Sequence, residues 1–463
     1  MWKSQTRSYD ALRARLDTLP VIETHEHWCG VCPPDENLDL LALLAGGGYY
    51  ASDLASASAD FAKRARPGLF PISPLAEYLT DTRHHSFDQR YAAWRTYHER
   101  TCHTAYTRGL FEGLRACWGL ESIEKKAMLA AQERMQAERN QACADRTLAR
   151  HGIQTMIVNT DLTAVMAGSL PYRKGFARFV LDLPQYHALS GEGSVRKPHL
   201  EAALNRRIVT LDDYLEAFER FLEQAIQFGI VGIKDQSAYH RCIAYANPPR
   251  AEAETVFNRI VAHPRDSLGT DQVRPLDDYL FNQFMRLAAR RGLPVQVHTG
   301  HMAGICNEIT KTNPAHLTAM LELHSEVQFD LFHGGWPYLG EYLFLGKNYP
   351  NVTLDMCWAN AIEPLYSVEF FKRALQTVPH SKIHGYGGDT HLFECAVGYL
   401  ILARDNLAAA LAEMVDAGWL GTDEALAVAR AWLFDNPNRT FRLDCQPGRQ
   451  PTPARGGRKP RTA

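Results

Sequence analysis

Five short apolar runs in this chain each end on a side chain that can hold a cation or a carboxylate, and their order restricts what the chain can fold into. They are Val21-Ile22-Glu23-Thr24-His25-Glu26-His27, Ile230-Val231-Gly232-Ile233-Lys234, Pro294-Val295-Gln296-Val297-His298, Phe329-Asp330-Leu331-Phe332-His333 and Ile383-His384-Gly385-Tyr386-Gly387-Gly388-Asp389. Short apolar, β-branched runs of this kind predict strands. Alternate strand residues face one side, so His25 and His27 can turn toward a common axis. In a (β/α)₈ barrel the C-terminal strand ends converge on one mouth, where residues far apart in sequence can share an ion. The expected fold class is α/β, a (β/α)₈ TIM-like barrel. Its expected centre is a divalent cation held by imidazole and carboxylate, a donor set that suits zinc.

The 463 residues exceed the roughly 250 of a bare barrel, so about 200 residues must form insertions. Tyr9 to Leu19 reads as a leading helix, and Gly152 to Asn159 as the second strand. About 120 residues separate the first two strands, against the roughly 2–6 of a usual connection. This predicts a large, mostly helical insertion at about 40–150, with helices over Tyr91 to Trp118 and Ile123 to Arg150, placed as a cap on the mouth. Tyr97, His98, Arg100 and Arg108 on it would either meet substrate or belong to a surface helix face, the second being the simpler reading for each alone.

Phe176 to Leu183 is the expected third strand, and Leu211 to Phe228 an amphipathic helix whose Leu215, Phe218, Leu222, Ala225 and Ile226 pack inward. A second insertion is expected at about 236–277, then a helix over Leu276 to Arg291. Farther on, Leu339 to Asn348, Phe393 to Ala412 and Thr422 to Phe434 read as helices and Val352 to Met356 as strand seven. Residues 1–445 are read as one barrel domain and 446–463, rich in Pro, Gly and Arg, as a disordered tail.

A net charge of −2 gives no electrostatic case for nucleic acid or an anionic membrane as partner. Met1 to Arg7 leads into a polar stretch without a signal-peptide core, so the expected compartment is the cytoplasm. The ten cysteines are read as reduced packing residues, including Cys29, Cys357 and Cys395 beyond strand ends. Trp336, Trp358 and Tyr338 are likewise assigned to packing.

His-x-His after strand one, Lys after strand four, His after strands five and six and Asp after strand eight resemble the ligand order of the amidohydrolase superfamily. His298-Thr299-Gly300, His333-Gly334-Gly335-Trp336-Pro337-Tyr338, Tyr349-Pro350-Asn351-Val352 with Leu354-Asp355, and Gly387-Gly388-Asp389 resemble its amidohydrolase-2 (amidohydrolase-related) family. Within it, Leu211 to Leu443 is most similar to the metal-dependent domain of FluG-type proteins, and the resemblance leads to the expectation of a freestanding relative. One departure is Gly388, where many relatives carry a serine whose hydroxyl could support the carboxylate.

The resemblance implies that His25, His27 and Asp389 hold the metal with His298 as a further ligand, and that Asp389 also takes and returns a proton. It implies one or two divalent ions, zinc or alternatively manganese. His333 would ligate a second metal or orient the substrate carbonyl. Lys234 would bridge two metals if carboxylated, or bind a substrate carboxylate if unmodified. The second role is preferred, with Arg241 as a further carboxylate contact and Tyr239 lining the same site. The implied activity is hydrolysis of a C–N or C–O bond, of amide, lactone or γ-glutamyl type, in a small carboxylate-bearing substrate through a metal-activated water. Non-oxidative decarboxylation and uronate isomerisation are the enzymatic alternatives, and a catalytically inactive binding protein the non-enzymatic one. A small molecule is the expected partner, with pairing of subunits into a homo-oligomer through the insertions.

Overall fold

Eight parallel strands are hydrogen-bonded in sequence order: β1 (Val21–Glu26), β2 (Ile153–Val158), β3 (Ala177–Asp182), β4 (Gly232–Asp235), β5 (Val295–Val297), β6 (Phe329–Leu331), β7 (Val352–Asp355) and β8 (Ile383–His384). The computed structural model describes residues 6–35, 37–46, 48–58, 74–263 and 265–447. Registers such as Asp182↔Lys234↔Gln296 and Asp330↔Thr353 carry the sheet from β3 to β7. Past the short β8, backbone bonds from Thr24 N to Tyr386 O (3.3 Å), Asp389 N to His25 O (2.9 Å) and His27 N to Thr390 O (2.9 Å) draw the last strand onto the first. The expected TIM-like barrel is therefore present, and its closing seam runs beside the expected ligands.

The interior is layered. Ile22, Ile157 and Val180 pack at the N-terminal end against Phe434, Phe441 and Leu443, so the end of the described chain plugs the barrel floor. Above this lies a buried polar layer. His384 Nδ1 is 3.1 Å from Asp330 Oδ1, Thr24 Oγ1 donates to Asp355 Oδ1 (3.0 Å), and Gln296 Nε2 donates to Thr24 O (3.0 Å). Burial works against an imidazolium at His384, but the charge of Asp330 and bonds to Asp330 and Asp355 outweigh it and raise its pKa to about 10. The ion pair satisfies groups that would otherwise be buried charges without partners.

Helices α1 (Tyr9–Leu16), α2 (Leu40–Gly46), α3 (Tyr50–Ser56), α4 (Pro74–Thr80), α5 (Phe87–Thr101), α6 (Ala105–Trp118), α7 (Lys125–Glu138) and α8 (Gln141–Arg150) precede β2, all but α1 within the first insertion. Two helices expected to be continuous are each broken. Thr104 Oγ1 accepts from Thr107 N (3.4 Å) to start α6, and Asn140 Oδ1 accepts from Cys143 N (3.0 Å) to start α8. Both are N-caps, which satisfy amide donors that a helix start leaves free. His98 corrects the surface reading: it is buried, 2.9 Å from Tyr50 OH and stacked on Trp94.

Helix α9 (Leu211–Phe228) begins on a Thr210–Asp213 capping box and ends at Gly229 with φ +114°, delivering the chain into β4. The second insertion holds α10 (Arg250–Ala262) and the start of α11 (Thr270–Arg291). Helix α11 thus starts before Pro275 and not after it, because Gln272 bonds back to Gly269 N (3.0 Å) and organises a turn upstream of the proline. Next come α12 (Leu339–Asn348), α13 (Pro364–Thr377), α14 (Phe393–Asp416) and α15 (Thr422–Arg430). Among the described residues, α14 is the helix long and apolar enough to cross a membrane, but 94% of its apolar window is buried in the protein. It is a core helix, and α6 lies on it so closely that a Cβ at Gly398 would stand 2.8 Å from Gly113 N. The expected disordered tail falls, from residue 448, outside the described residues.

Candidate functional site

His25 and His27 emerge from β1 toward Asp389, which follows β8. His27 Nε2 is 3.1 Å and His25 Nε2 3.5 Å from Asp389 Oδ1. The His27 Nδ1 is 2.9 Å from the carbonyl of Asn159, which can only accept, so Nδ1 carries the proton and the Nε2 lone pair faces the carboxylate. Two electron-rich atoms at that separation require a second ring proton or a cation between them. A ligand imidazole whose other nitrogen is fixed by a carbonyl is also the usual outer arrangement of a metal site. Burial opposes an anionic Asp389, but bonding from His27 and the neighbouring His25 and His333 imidazoles outweigh it and hold its pKa well below the ordinary range. The donor set fits a divalent cation such as zinc.

His298 and His333 stand beside this group with different neighbours. The His333 Nε2 lies 3.0 Å from His298 Nδ1, and the His298 Nε2 lies 2.7 Å from His301 O, so neither His298 nitrogen is turned to the trio. His333 instead groups with Cys357 and Asp389, their ligand atoms within 4.8 Å of one another. Burial lowers the pKa of His298 to about 3 and drives that of His333 far down, keeping both rings neutral. His333 (φ 66°), Trp358 (φ 62°) and Asp389 (φ 56°) all adopt left-handed backbone at strand ends, strain of the kind that collects at functional sites.

Lys234 leaves β4 into the same mouth. Its Nζ is buried, has no hydrogen-bond partner among the described residues and lies 3.7 Å from the centre of the Phe332 ring. Burial lowers its pKa, with Asp389 the main opposing charge. Tyr239 lines the cavity, its ring edge-on to His298 and its hydroxyl accepting from Ala303 N (3.0 Å).

Arg241 requires a correction. It points away from the cavity, with Nη1 2.9 Å from Asp277 and Nη2 2.6 Å from Asp278, all three buried. Asp277 also contacts His187, which is 3.4 Å from Asp235, the residue after Lys234. Arg241 therefore neutralises an acidic cluster behind the β4 loop, and its position leaves no fork free for a substrate carboxylate.

Several site residues carry no local signal in the sequence. Tyr49, between α2 and α3, donates to the carbonyl of Asp389 (2.7 Å) and stacks on Trp358 with centroids 4.1 Å apart. Glu23 accepts from Gly388 N (2.9 Å), and Glu26 from Thr390 N (2.8 Å) and Thr390 Oγ1 (3.0 Å). Burial raises the pKa of both carboxyls, that of Glu26 the further. These contacts hold the Gly388-Asp389-Thr390 turn from beneath and explain the missing serine: a Cβ at 388 would lie 2.6 Å from Glu23 Oε1 and closer still to Glu26 Oε1. Gly388→Ser should therefore destabilise the fold by about 1–3 kcal/mol through overpacking. An unchanged denaturation midpoint would refute that steric account. Cys29-Gly30-Val31-Cys32 has the CxxC spacing, but both thiols are buried, free and raised in pKa by burial, which suits packing.

A cavity of about 620 Å³ opens over these groups, with His25, His27, Lys234, Tyr239, His298, His333 and Asp389 on its wall. The family model described as Amidohydrolase matches residues 208–443, from just before α9 to the floor plug. Protein fluG of Emericella nidulans is 30% identical over 208 residues, which is 43% of this chain but 23% of that protein, so the chain spans about a quarter of that relative's length. The fold is similar to a uronate isomerase from Thermotoga maritima (TM-score 0.71, 16% identity, 95% of this chain and 98% of that one). A glucuronate isomerase from Caulobacter crescentus is also similar (TM-score 0.65, 18% identity, 96% of each chain). At such identities these two likenesses concern the fold alone. The family match covers just over half of the 463 residues and takes in Lys234, His298, His333 and Asp389, which the fold assembles with His25 and His27; this chain belongs to the amidohydrolase family.

Proposed function

We propose that this protein is a metal-dependent hydrolase that cleaves a C–N or C–O bond, such as an amide or lactone, in a small carboxylate-bearing substrate. The observation that carries the reading is a His25, His27 and Asp389 donor set beside an unpartnered, buried Lys234 ammonium on one cavity. A divalent cation held by His25, His27 and Asp389 would supply Lewis acidity and lower the pKa of water. Asp389, anionic and buried, is the group suited to take a proton and return it to the leaving atom. Lys234 offers a fixed positive charge with no protein carboxylate satisfying it, so it would orient a substrate anion. Tyr49 and the two glutamates keep the Asp389 turn in place during the reaction.

Elemental analysis of protein purified without added metal, with the intact mass, tests this directly. One equivalent of zinc or manganese and an unmodified Lys234 are expected. Chelation should abolish turnover of an amide or lactone substrate and added zinc or manganese restore it. Full turnover by metal-free protein would sink the proposal.

Uronate isomerisation is the second reading, favoured by the likeness to two uronate isomerases along nearly the whole chain, helical insertion included. Incubation of the metal-loaded protein with glucuronate and galacturonate separates the two: keto-sugar formation without hydrolysis of any amide or lactone would install the isomerase reading instead.

A further inference from the structure

The cavity has two chemically different ends. Its inner end carries the imidazoles, Asp389 and Lys234, whereas the part toward the first insertion is lined by Ala45, Gly46, Ala51, Ala55 and Ala76. The small residues come from facing helices. Ala51 and Ala55 on α3, and Ala76 and Thr80 on α4, are four residues apart, the spacing that puts side chains on one side of a helix, and Ser52 and Glu77 lie three before Ala55 and Thr80 on the flank of the same face. Exposed Glu77 and Thr80 mark the outer end, and buried Ala45 and Ala55 lie deeper. The alanine side chains reach no farther than Cβ, so among the described residues they leave room between the helices that larger side chains would have filled. Among the described residues of this wall, the side chains able to hydrogen-bond before Glu77 and Thr80 are Ser52 and Tyr49, whose hydroxyl is already bonded to Asp389 O. A polyhydroxylated sugar would leave its hydroxyls unpaired there, which is costly.

We infer that the site takes an amphiphilic carboxylate: the carboxylate lies at Lys234, and an apolar chain or ring runs outward between α3 and α4. The inference rests on the proposed carboxylate-bearing substrate and adds the character of the remainder. Two independent features meet in it, the unpartnered Lys234 Nζ and His25 Nδ1, both buried on the cavity wall, and the apolar chamber beyond them. Glu77 at the outer end disfavours a second carboxylate at the far end of the molecule.

Calorimetric titration of the zinc-loaded full chain with acetate, butyrate, hexanoate and octanoate reads this without requiring turnover. Each buried methylene should tighten binding by up to about fourfold, so hexanoate should exceed acetate by at least about tenfold. Adipate, of hexanoate's length but with a second carboxylate, should bind at least about tenfold more weakly than hexanoate. Ala51→Phe should flatten the chain-length series while leaving acetate unchanged, and Lys234→Met should weaken hexanoate and leave 1-hexanol unaffected. Equal affinities along the series in the unaltered protein, or adipate equal to hexanoate, would overturn the apolar chamber. Unchanged hexanoate binding in Lys234→Met would overturn the placement of the head group. Should Ala51→Phe fail to fold, the wild-type series and the adipate comparison decide alone. Metal content and chelation bear on the hydrolase reading independently, so either idea can fail without the other.

Discussion

Replacing Asp389 by Asn should leave the protein folded and lower its turnover number by at least about a hundredfold, the usual contribution of a positioned acid or base. The fold should survive because the turn is held by groups other than the carboxylate. Asp389 N donates to His25 O (2.9 Å), Tyr49 donates to the Asp389 carbonyl (2.7 Å), and the glutamates hold the amides of Gly388 and Thr390. Asn keeps the shape and one oxygen donor but cannot accept a proton at neutral pH. Turnover measured at saturating zinc, together with circular dichroism and metal content, separates lost proton transfer from lost metal. Activity within threefold of the unaltered protein would remove Asp389 from the chemistry.

Arg241→Ala should cost about 3–5 kcal/mol of stability, because removing one partner of a buried ion pair leaves the other charge uncompensated. Burial works against the Arg241 charge, yet Asp277, Tyr245 and Asp278 outweigh it and drive the guanidinium pKa upward. Asp277 is correspondingly held below its ordinary range: burial opposes this, but His187 and Arg241 dominate. With the guanidinium gone, Asp277 and Asp278 would face each other across a buried space, and the β4 loop behind Lys234 would lose its support. Arg241→Lys, which keeps the charge but not the planar fork, should lose less. Urea denaturation of both variants checks the order. A substrate contact would instead raise KM in both with little change in stability, and that outcome would restore the role expected from sequence.

The strand ends were legible because each combines an apolar, alternating run with a side chain able to hold a cation or an anion, and a barrel converts that order into proximity. The helix breaks at Thr104 and Asn140 were also written locally, as capping residues, though the surrounding helical composition masks them. Arg241 misleads for the opposite reason: its position after Lys234 suits a substrate contact, but Asp277 and Asp278 reach it from α11, and nothing near Arg241 in sequence announces them. Tyr49 is one of 19 tyrosines until the insertion folds back over the mouth and brings its hydroxyl to Asp389.

The sequence by itself determined the barrel, the order of its candidate ligand residues and the family to which the chain belongs, since these depend on short-range patterns of side-chain chemistry along single strands. Only the tertiary structure decided that His298 pairs with His333 and His301, that Glu23 and Glu26 exclude a side chain at 388, and that Arg241 is structural. Those outcomes depend on desolvation and steric contact between segments distant in sequence, and burial sets both the space at each position and the partner each charge must find.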